Sequence, residues 1–341
     1  MNQSFSARRL LFPLIPLYRL ALLLRELRLR SGLEPIRRLR FPVVSIGNLS
    51  TGGSGKTPLT IALAKALTGR GLRVDILSRG YGRQSKLAVR VNPNGAAEDF
   101  GDEPLLIARE TGLPVYVAPR RYEAGLLAET EVLAGSMQGQ PPIVHLLDDG
   151  FQHRQLTRDV NILLLNQRDW QDWLLPAGNL REPLKAIHRA SVLALPDEEP
   201  ELEIVLRLCG WQGPVWRLRR SMKIPAINGP VAAFCGIAHP EQFFAGLEAA
   251  GLRLTTRDAF PDHYRYTAHD LDRLIAAARA AGAAAFVTTE KDLVRMGKFA
   301  DIFPASMPLK TARLRMEIED ETSAIDWLID QIVPLPAHPP L

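Results

Sequence analysis

In the stretch Phe41-Pro42-Val43-Val44-Ser45-Ile46-Gly47-Asn48-Leu49-Ser50-Thr51-Gly52-Gly53-Ser54-Gly55-Lys56-Thr57, an apolar run over 41–46 rich in Val and Ile leads into a glycine loop, and residues 58–68 continue with helical character. Strand, glycine loop and helix in that order make a phosphate cradle. Glycines let the backbone approach an anion, amides at the helix start point toward negative charge, Lys56 reaches the β- and γ-phosphates of a bound nucleotide, and the Thr57 hydroxyl is placed to ligate Mg2+. The nucleotide-binding set expected is Ser50, Thr51, Gly52, Gly53, Ser54, Gly55, Lys56 and Thr57. The strict pattern Gly-x-x-x-x-Gly-Lys-Ser/Thr has Gly where this chain has Ser50, whereas the Gly-Gly-x-Gly-Lys-Thr core is intact.

Outward from the loop, strands are expected over 72–77, 115–118, 143–147 and 160–165, separated by helical or loop segments, the mark of a parallel sheet with crossovers. The fold class expected is therefore α/β, a P-loop NTPase-like parallel sheet with helices on both faces. Ligands gather at the carboxyl ends of such strands. The polar clusters fall there: Ser78-Arg79-Gly80-Tyr81-Gly82-Arg83, Arg120-Arg121 and Asp148-Asp149-Gly150-Phe151-Gln152-His153. Arg120 and Arg121 open a helix, where cations oppose the macrodipole unless an anion sits beside them. A carboxylate after an apolar strand reaches the Mg2+ of the loop, but neighbouring strand residues face opposite ways, so Asp148 and Asp149 both serve it only if the strand has already ended. Gln152 and His153 are either phosphate contacts or structural residues. Asp102 and Glu103 precede Pro104, by default a helix cap with Pro in the first turn.

The 341 residues, with 46% apolar content and a net charge of +5, fit a globular protein of about two domains. Nine arginines and only Glu26 and Glu34 lie in residues 1–40, so the rest of the chain is slightly acidic. A basic binding face is missing from the body, and nucleic acid is disfavoured as a partner. Cys209 and Cys235, with no CxxC, support neither a disulfide framework nor a zinc site. Residues 10–24 are apolar except for Tyr18 and Arg19, but carry Pro13 and Pro16 and fall short of a bilayer span. A helix after Pro16 groups Leu20, Leu23, Leu24 and Leu27 on one face and Arg19, Glu26 and Arg30 on another, the pattern of a membrane-interface helix; packing on the protein's own core is the alternative.

The ordered set Gly47-Asn48-Leu49, Gly52 to Pro58, Ser78 to Gly82, Gly101-Asp102-Glu103-Pro104, Asp148 to His153, Leu174 to Gly178, Leu180-Arg181-Glu182-Pro183, Phe260-Pro261-Asp262-His263 and Thr288-Thr289-Glu290-Lys291-Asp292 resembles the tetraacyldisaccharide 4'-kinase (lipid A 4'-kinase) family over nearly the whole chain. The resemblance implies a kinase, peripheral to the cytoplasmic face of the bacterial inner membrane, that moves the γ-phosphoryl of ATP onto the 4'-hydroxyl of an acylated glucosamine disaccharide 1-phosphate, giving lipid IVA. It implies Asp102 as catalytic base with His263 as its partner, Lys56 neutralising phosphate, and Thr57, Glu103 and Asp149 around Mg2+. Arg79, Tyr81, Arg120, Arg121, Asp148, Gln152, His153, Arg181 and Glu182 are the expected substrate or phosphate contacts. Tyr264 stands where many relatives carry a second His.

The divisions expected are a basic, apolar arm over 1–40, a P-loop kinase domain over 41–224, a smaller α/β lobe over 225–334 that must close on the first, and a proline-rich tail over 335–341. No obligate protein partner is evident. The rival readings are a membrane-recruited ATPase switch and a soluble small-molecule kinase. Against a switch, Thr51 occupies the place of the signature lysine of dimerising ATPases, and Lys291 falls one position late for a guanine-reading motif.

Overall fold

The computed structural model describes residues 8–135 and 141–333, so the proline-rich tail and the first seven residues of the arm lie outside the described residues. β1 (Val43–Asn48) is buried at all six positions, as a strand covered on both faces must be. It runs parallel between β5 (Ile143–Asp148) and β6 (Val160–Leu164). Beyond β5 lie β2 (Arg73–Ser78), β4 (Val115–Val117) and the antiparallel edge strand β3 (Val89–Arg90). Beyond β6 lie β7 (Val192–Pro196) and β8 (Val215–Lys223). Chain order therefore reverses at β1, and that is where a doubly wound sheet opens a crevice at its carboxyl edge.

The sheet continues past β8. Residues 313–318 of β12 (Leu309–Ile318) pair antiparallel with β8, while residues 309–312 pair parallel with β11 (Ala285–Thr289). β9 (Val231–Cys235) and β10 (Leu254–Ala259) complete a mostly parallel sheet of twelve strands among the described residues. One strand thus belongs to both halves of the molecule. The segment after Lys223 has its own core around Phe234, Leu271 and Phe286, yet the helix Glu321–Ile332 returns to the first half, where Ile325, Leu328 and Ile332 share a core with Leu59 and Leu63.

Alternation along the strands sorts the two faces. Ile162 and Leu164 of β6 meet the layer of helices Lys56–Gly69, Asp102–Thr111 and Glu321–Ile332, whereas Leu163 meets the opposite layer with Leu174, Ile187 and Leu202. The arm helix, Ile15–Arg30, joins that second layer by burying Ile15 and, in part, Tyr18 and Leu22. Pro16 occupies its first turn, where a missing N–H costs nothing. Leu20, Leu23, Leu24 and Leu27 share one face as expected, and each is about half exposed, so that face is turned away from the protein's core. Among the described residues no helix is long and apolar enough to cross a membrane.

Candidate active site

At the carboxyl end of β1 the chain turns through Gly55, at φ +88°, directly into the helix Lys56–Gly69, and no side chain caps the first amides. Those N–H groups are left for an anion. A side chain at 55 would be strained by the dihedral and would push aside the flexible end of Met316, whose Cε lies 2.6 Å from where Cβ would stand, so the conformation is what calls for glycine. Gly52 and Gly53 are exposed, and His239 Nε2 lies 3.5 Å from where a Gly52 Cβ would stand. The opposite wall of the crevice is therefore the loop that follows β9.

Lys56 Nζ donates to Asn48 Oδ1 at 3.0 Å and stands 3.6 Å from Asp149 Oδ1. Arg181 forks onto the same carboxylate, with Nη1 to Oδ2 at 3.1 Å and Nη2 to Oδ1 at 3.0 Å. The two neighbouring aspartates part company here. Asp149, at φ +48°, has left the strand and faces the glycine loop; burial pushes its carboxyl up, but Lys56 and Arg181 outweigh that and hold it below the usual range. Asp148 is still in β5, fully buried, and accepts from Thr60 Oγ1 at 3.1 Å. Burial first, then the nearby Glu103 and Asp149 carboxylates, push it up to about 7.

The second constellation forms at the start of the helix Asp102–Thr111. Gly101, at φ +88°, packs its Cα side against Gly80, where an added Cβ would lie 3.0 Å from Gly80 Cα, and this contact brings the Arg79–Arg83 loop over Asp102. Asp102 Oδ2 meets His263 Nδ1 at 3.0 Å, Arg295 Nε at 2.7 Å and Arg295 Nη2 at 2.6 Å. Burial opposes ionisation of Asp102, but the His263 hydrogen bond and the Arg295 charge win and keep it an anion well below the usual range. Reciprocally, the hydrogen bond to Asp102 raises His263 above its ordinary value against burial. Among the described residues only Asp149 and His263 are non-glycine residues at positive φ, a conformation that costs of order 1 kcal/mol and that these ion pairs hold in place. Tyr81, exposed, has its ring 5.1 Å from that of His263. The two halves of the sheet meet at this point, through Asp102 on one side and His263 and Arg295 on the other.

Glu103 links the two constellations: Lys291 lowers its carboxyl most, burial opposes, and Lys56 adds to the lowering. Other expected contacts divide. Arg121 is buried, its Nη1 on the Pro119 carbonyl, whereas Arg120 is exposed beside Glu123, and Arg79 is exposed. Gln152 Nε2 donates to the Asn48 carbonyl at 2.7 Å, a structural tie. His153 is driven down to about 3 by burial and by Arg121, Arg158, Arg25 and Arg79, so it stays neutral in a basic pocket. Glu182 is buried in an ion pair with Arg189. Ser50 and Thr57 are buried, Thr51 is exposed. No three His, Cys, Asp or Glu side chains among the described residues enclose a metal site. Thr57, Glu103 and Asp149 offer hard oxygen donors of the kind Mg2+ takes, one or two to an ion otherwise held by phosphate and water.

A model of the family described as tetraacyldisaccharide-1-P 4'-kinase matches residues 7–333. The chain belongs to that family. The tetraacyldisaccharide 4'-kinase of Koribacter versatilis is 40% identical over 304 residues, covering 86% of this chain and 89% of that protein. The tetraacyldisaccharide 4'-kinase of Polaromonas naphthalenivorans is 37% identical over 334 residues, covering 96% and 92%. The crystal structure of LpxK from Aquifex aeolicus in complex with ATP superposes with a TM-score of 0.73 at 33% identity, covering 96% of this chain and 99% of that one. This member of the 4'-kinase family thus has the mixed α/β, mostly parallel sheet expected.

Within this 4'-kinase family member, the structure brings in Arg295, which sequence reasoning did not single out, and gives a partner to Lys291, which it named only as part of a motif. Lys291 and Arg295 lie four apart on the helix Glu290–Met296 and so share a face, which pairs with Glu103 and Asp102 respectively. The signal was present as two cations at helical spacing after Thr289, matching two adjacent carboxylates. Thr289 caps that helix through Asp292, whose Oδ1 also accepts from Gly236 N at 3.0 Å and Tyr266 OH at 2.9 Å, fixing the helix against β9.

Proposed function

We propose that this protein transfers the γ-phosphoryl of ATP to the 4'-hydroxyl of a tetraacyl glucosamine disaccharide 1-phosphate, giving lipid IVA. The observation that carries the reading is the pair of charged clusters at neighbouring helix starts, Lys56 and Arg181 on Asp149, and Asp102 held by His263 and Arg295 with Glu103 beside it on Lys291. Transfer needs an anion-binding group and a proton acceptor in one site, and here Lys56 and Asp102 stand at the starts of two helices of one layer, with His263 and Arg295 reaching Asp102 from the second half of the sheet.

ATP fits the loop because the uncapped amides, the exposed glycines and the part-buried Lys56 form an anion cradle. Bound Mg2+ would neutralise phosphate charge, with Thr57 and Asp149 or Glu103 as its protein ligands. Asp102, kept anionic, takes the proton of the sugar hydroxyl, and His263 orients it. A carboxylate is a weak base for an alcohol, but in a loose phosphoryl-transfer transition state positioning and charge supply most of the acceleration. Arg79, Tyr81, Arg121 and His153 line the approach, and the basic surroundings of His153 suit a phosphorylated sugar.

The arm supports a membrane reading. Leu17, Leu20, Leu23, Leu24 and Leu27 are outward, and Phe12 packs edge-on against Trp173 at 4.8 Å, itself 53% exposed, which widens the apolar patch. Burying such a face in the interface of a bilayer removes its exposure to water, and the flanking arginines add about 1 kcal/mol each near anionic headgroups. The site of action in this reading is the cytoplasmic face of the inner membrane. The division at residue 225 describes the crevice walls, with β12 as their common strand.

Incubation with γ-labelled ATP and the acylated disaccharide 1-phosphate is expected to move label into the lipid. Release of free phosphate alone would instead identify a nucleotide switch.

A further inference from the structure

Asn48, the last residue of β1, is fully buried and makes four distinct polar contacts. Its Oδ1 accepts from Lys56 Nζ at 3.0 Å and from Arg181 Nη2. Two cations on one oxygen fix which end of the amide is which, and Nδ2 then donates to Ser50 Oγ at 3.1 Å. The main-chain carbonyl accepts from Gln152 Nε2 at 2.7 Å. Ser50, the departure from the strict phosphate-loop pattern, thereby has a physical role: glycine there would leave the buried amide of Asn48 without its acceptor.

Both residues that contact Asn48 from outside the loop are held by the arm. Tyr18 OH donates to the Arg181 carbonyl at 2.9 Å, and Arg25 Nη2 donates to the Gln152 carbonyl. Arg181 N in turn donates to the Leu49 carbonyl at 2.7 Å, laying the 179–181 segment along the start of the phosphate loop. Two short chains of hydrogen bonds therefore run from the arm helix to Lys56, and both pass through Asn48.

We infer that Asn48 is a positioning residue through which docking of the amino-terminal helix sets the Lys56 ammonium, so that the arm is a working part of the nucleotide site as well as an attachment to the lipid surface. The inference rests on the nucleotide reading of the loop. Its physical basis is preorganisation: an ammonium on a flexible four-carbon stem, held before the anion arrives, loses less freedom on binding.

A double-mutant cycle in affinity for the Mg2+ complex of the non-hydrolysable β,γ-imido analogue of ATP, measured by calorimetry on the full chain, tests it. Asn48→Ala is expected to weaken binding about tenfold. Tyr18→Phe, which removes one hydroxyl and no charge, is expected to weaken it about threefold. Because both act on the Arg181–Asn48–Lys56 path, with Asp149 as a second link between Arg181 and Lys56, the double variant is expected to bind more tightly than the product of the single effects, a non-additivity that a local packing defect does not produce. If Asn48→Ala fails to fold, Ser50→Ala, which releases the Asn48 amide together with the Ser50–Asp169 hydrogen bond, replaces it in the cycle. Multiplying single effects, or a Tyr18→Phe protein that binds like the wild type, would overturn the inference while leaving the nucleotide reading intact. A wild-type protein that binds no analogue would remove both.

Discussion

Replacing Arg295 by Met removes one guanidinium and leaves two buried carboxylates without their main cation. The Arg295 side chain is 5% exposed, donates to Asp102 Oδ2 at 2.7 and 2.6 Å, and reaches Asp292 Oδ1 at 3.2 Å. With charge centres about 4 Å apart and an effective dielectric of about 20, the Asp102 interaction is on the order of 4 kcal/mol, equivalent to about three pH units. His263 and Lys291 remain and offset part of the loss. Burial, which already opposes the charge on Asp102, then gains weight, and its carboxyl rises. The acid limb of the pH profile of kcat/KM for lipid phosphorylation is therefore expected to move upward as Asp102 returns toward the ordinary carboxylate range, with activity recovering toward higher pH. Thermal stability should fall as well, by about 3–5 kcal/mol at neutral pH, because Asp292 loses its cation too, and by less in acid, where both carboxyls accept protons. Arg295→Lys keeps the charge and should show a smaller shift. An Arg295→Met protein that folds and whose acid limb coincides with the wild type would refute the argument that this arginine holds the charge of Asp102.

Asp102→Ala and His263→Ala should each lower kcat far more than the KM for ATP, since neither touches the phosphate loop; steady-state kinetics with unchanged turnover in both would take them out of the mechanism. The Asp102–His263 pair should contribute most stability between about pH 4 and 6.5: it is lost as pH falls through the depressed Asp102 value and, for the histidine's part, as pH rises through the raised His263 value, so the melting temperature of His263→Gln should converge on that of the wild type in alkali. Gly101→Ala puts a methyl 3.0 Å from Gly80 at a φ of +88° and should cost about 1–3 kcal/mol, read as a lower melting temperature with reduced activity from a displaced Arg79–Arg83 loop. Changing Leu17, Leu20 and Leu24 together to Gln should abolish sedimentation with anionic vesicles while leaving the melting temperature within a degree or two, because all three are about half exposed or more.

Much of this protein was legible in its residues because the relevant physics is local. An apolar run ending in Gly-Gly-x-Gly-Lys-Thr requires a buried strand, a turn at positive φ and an uncapped helix, and β1, Gly55 and the helix Lys56–Gly69 are those elements. Helical spacing likewise placed four arm leucines on one face. Which of two adjacent aspartates faces the loop was not legible, because it depends on where β5 ends, and that depends on hydrogen bonds to β1. Burial of Arg121 beside exposed Arg120 depends on the layer packed above them. The Asp102–Arg295 and Glu103–Lys291 pairs join residues nearly two hundred positions apart through a strand, β12, shared by both halves of the sheet. Local pattern sets the elements and the chemistry they carry. Partners, protonation and exposure are properties of the space between elements, and those arise when distant segments exclude water from one another.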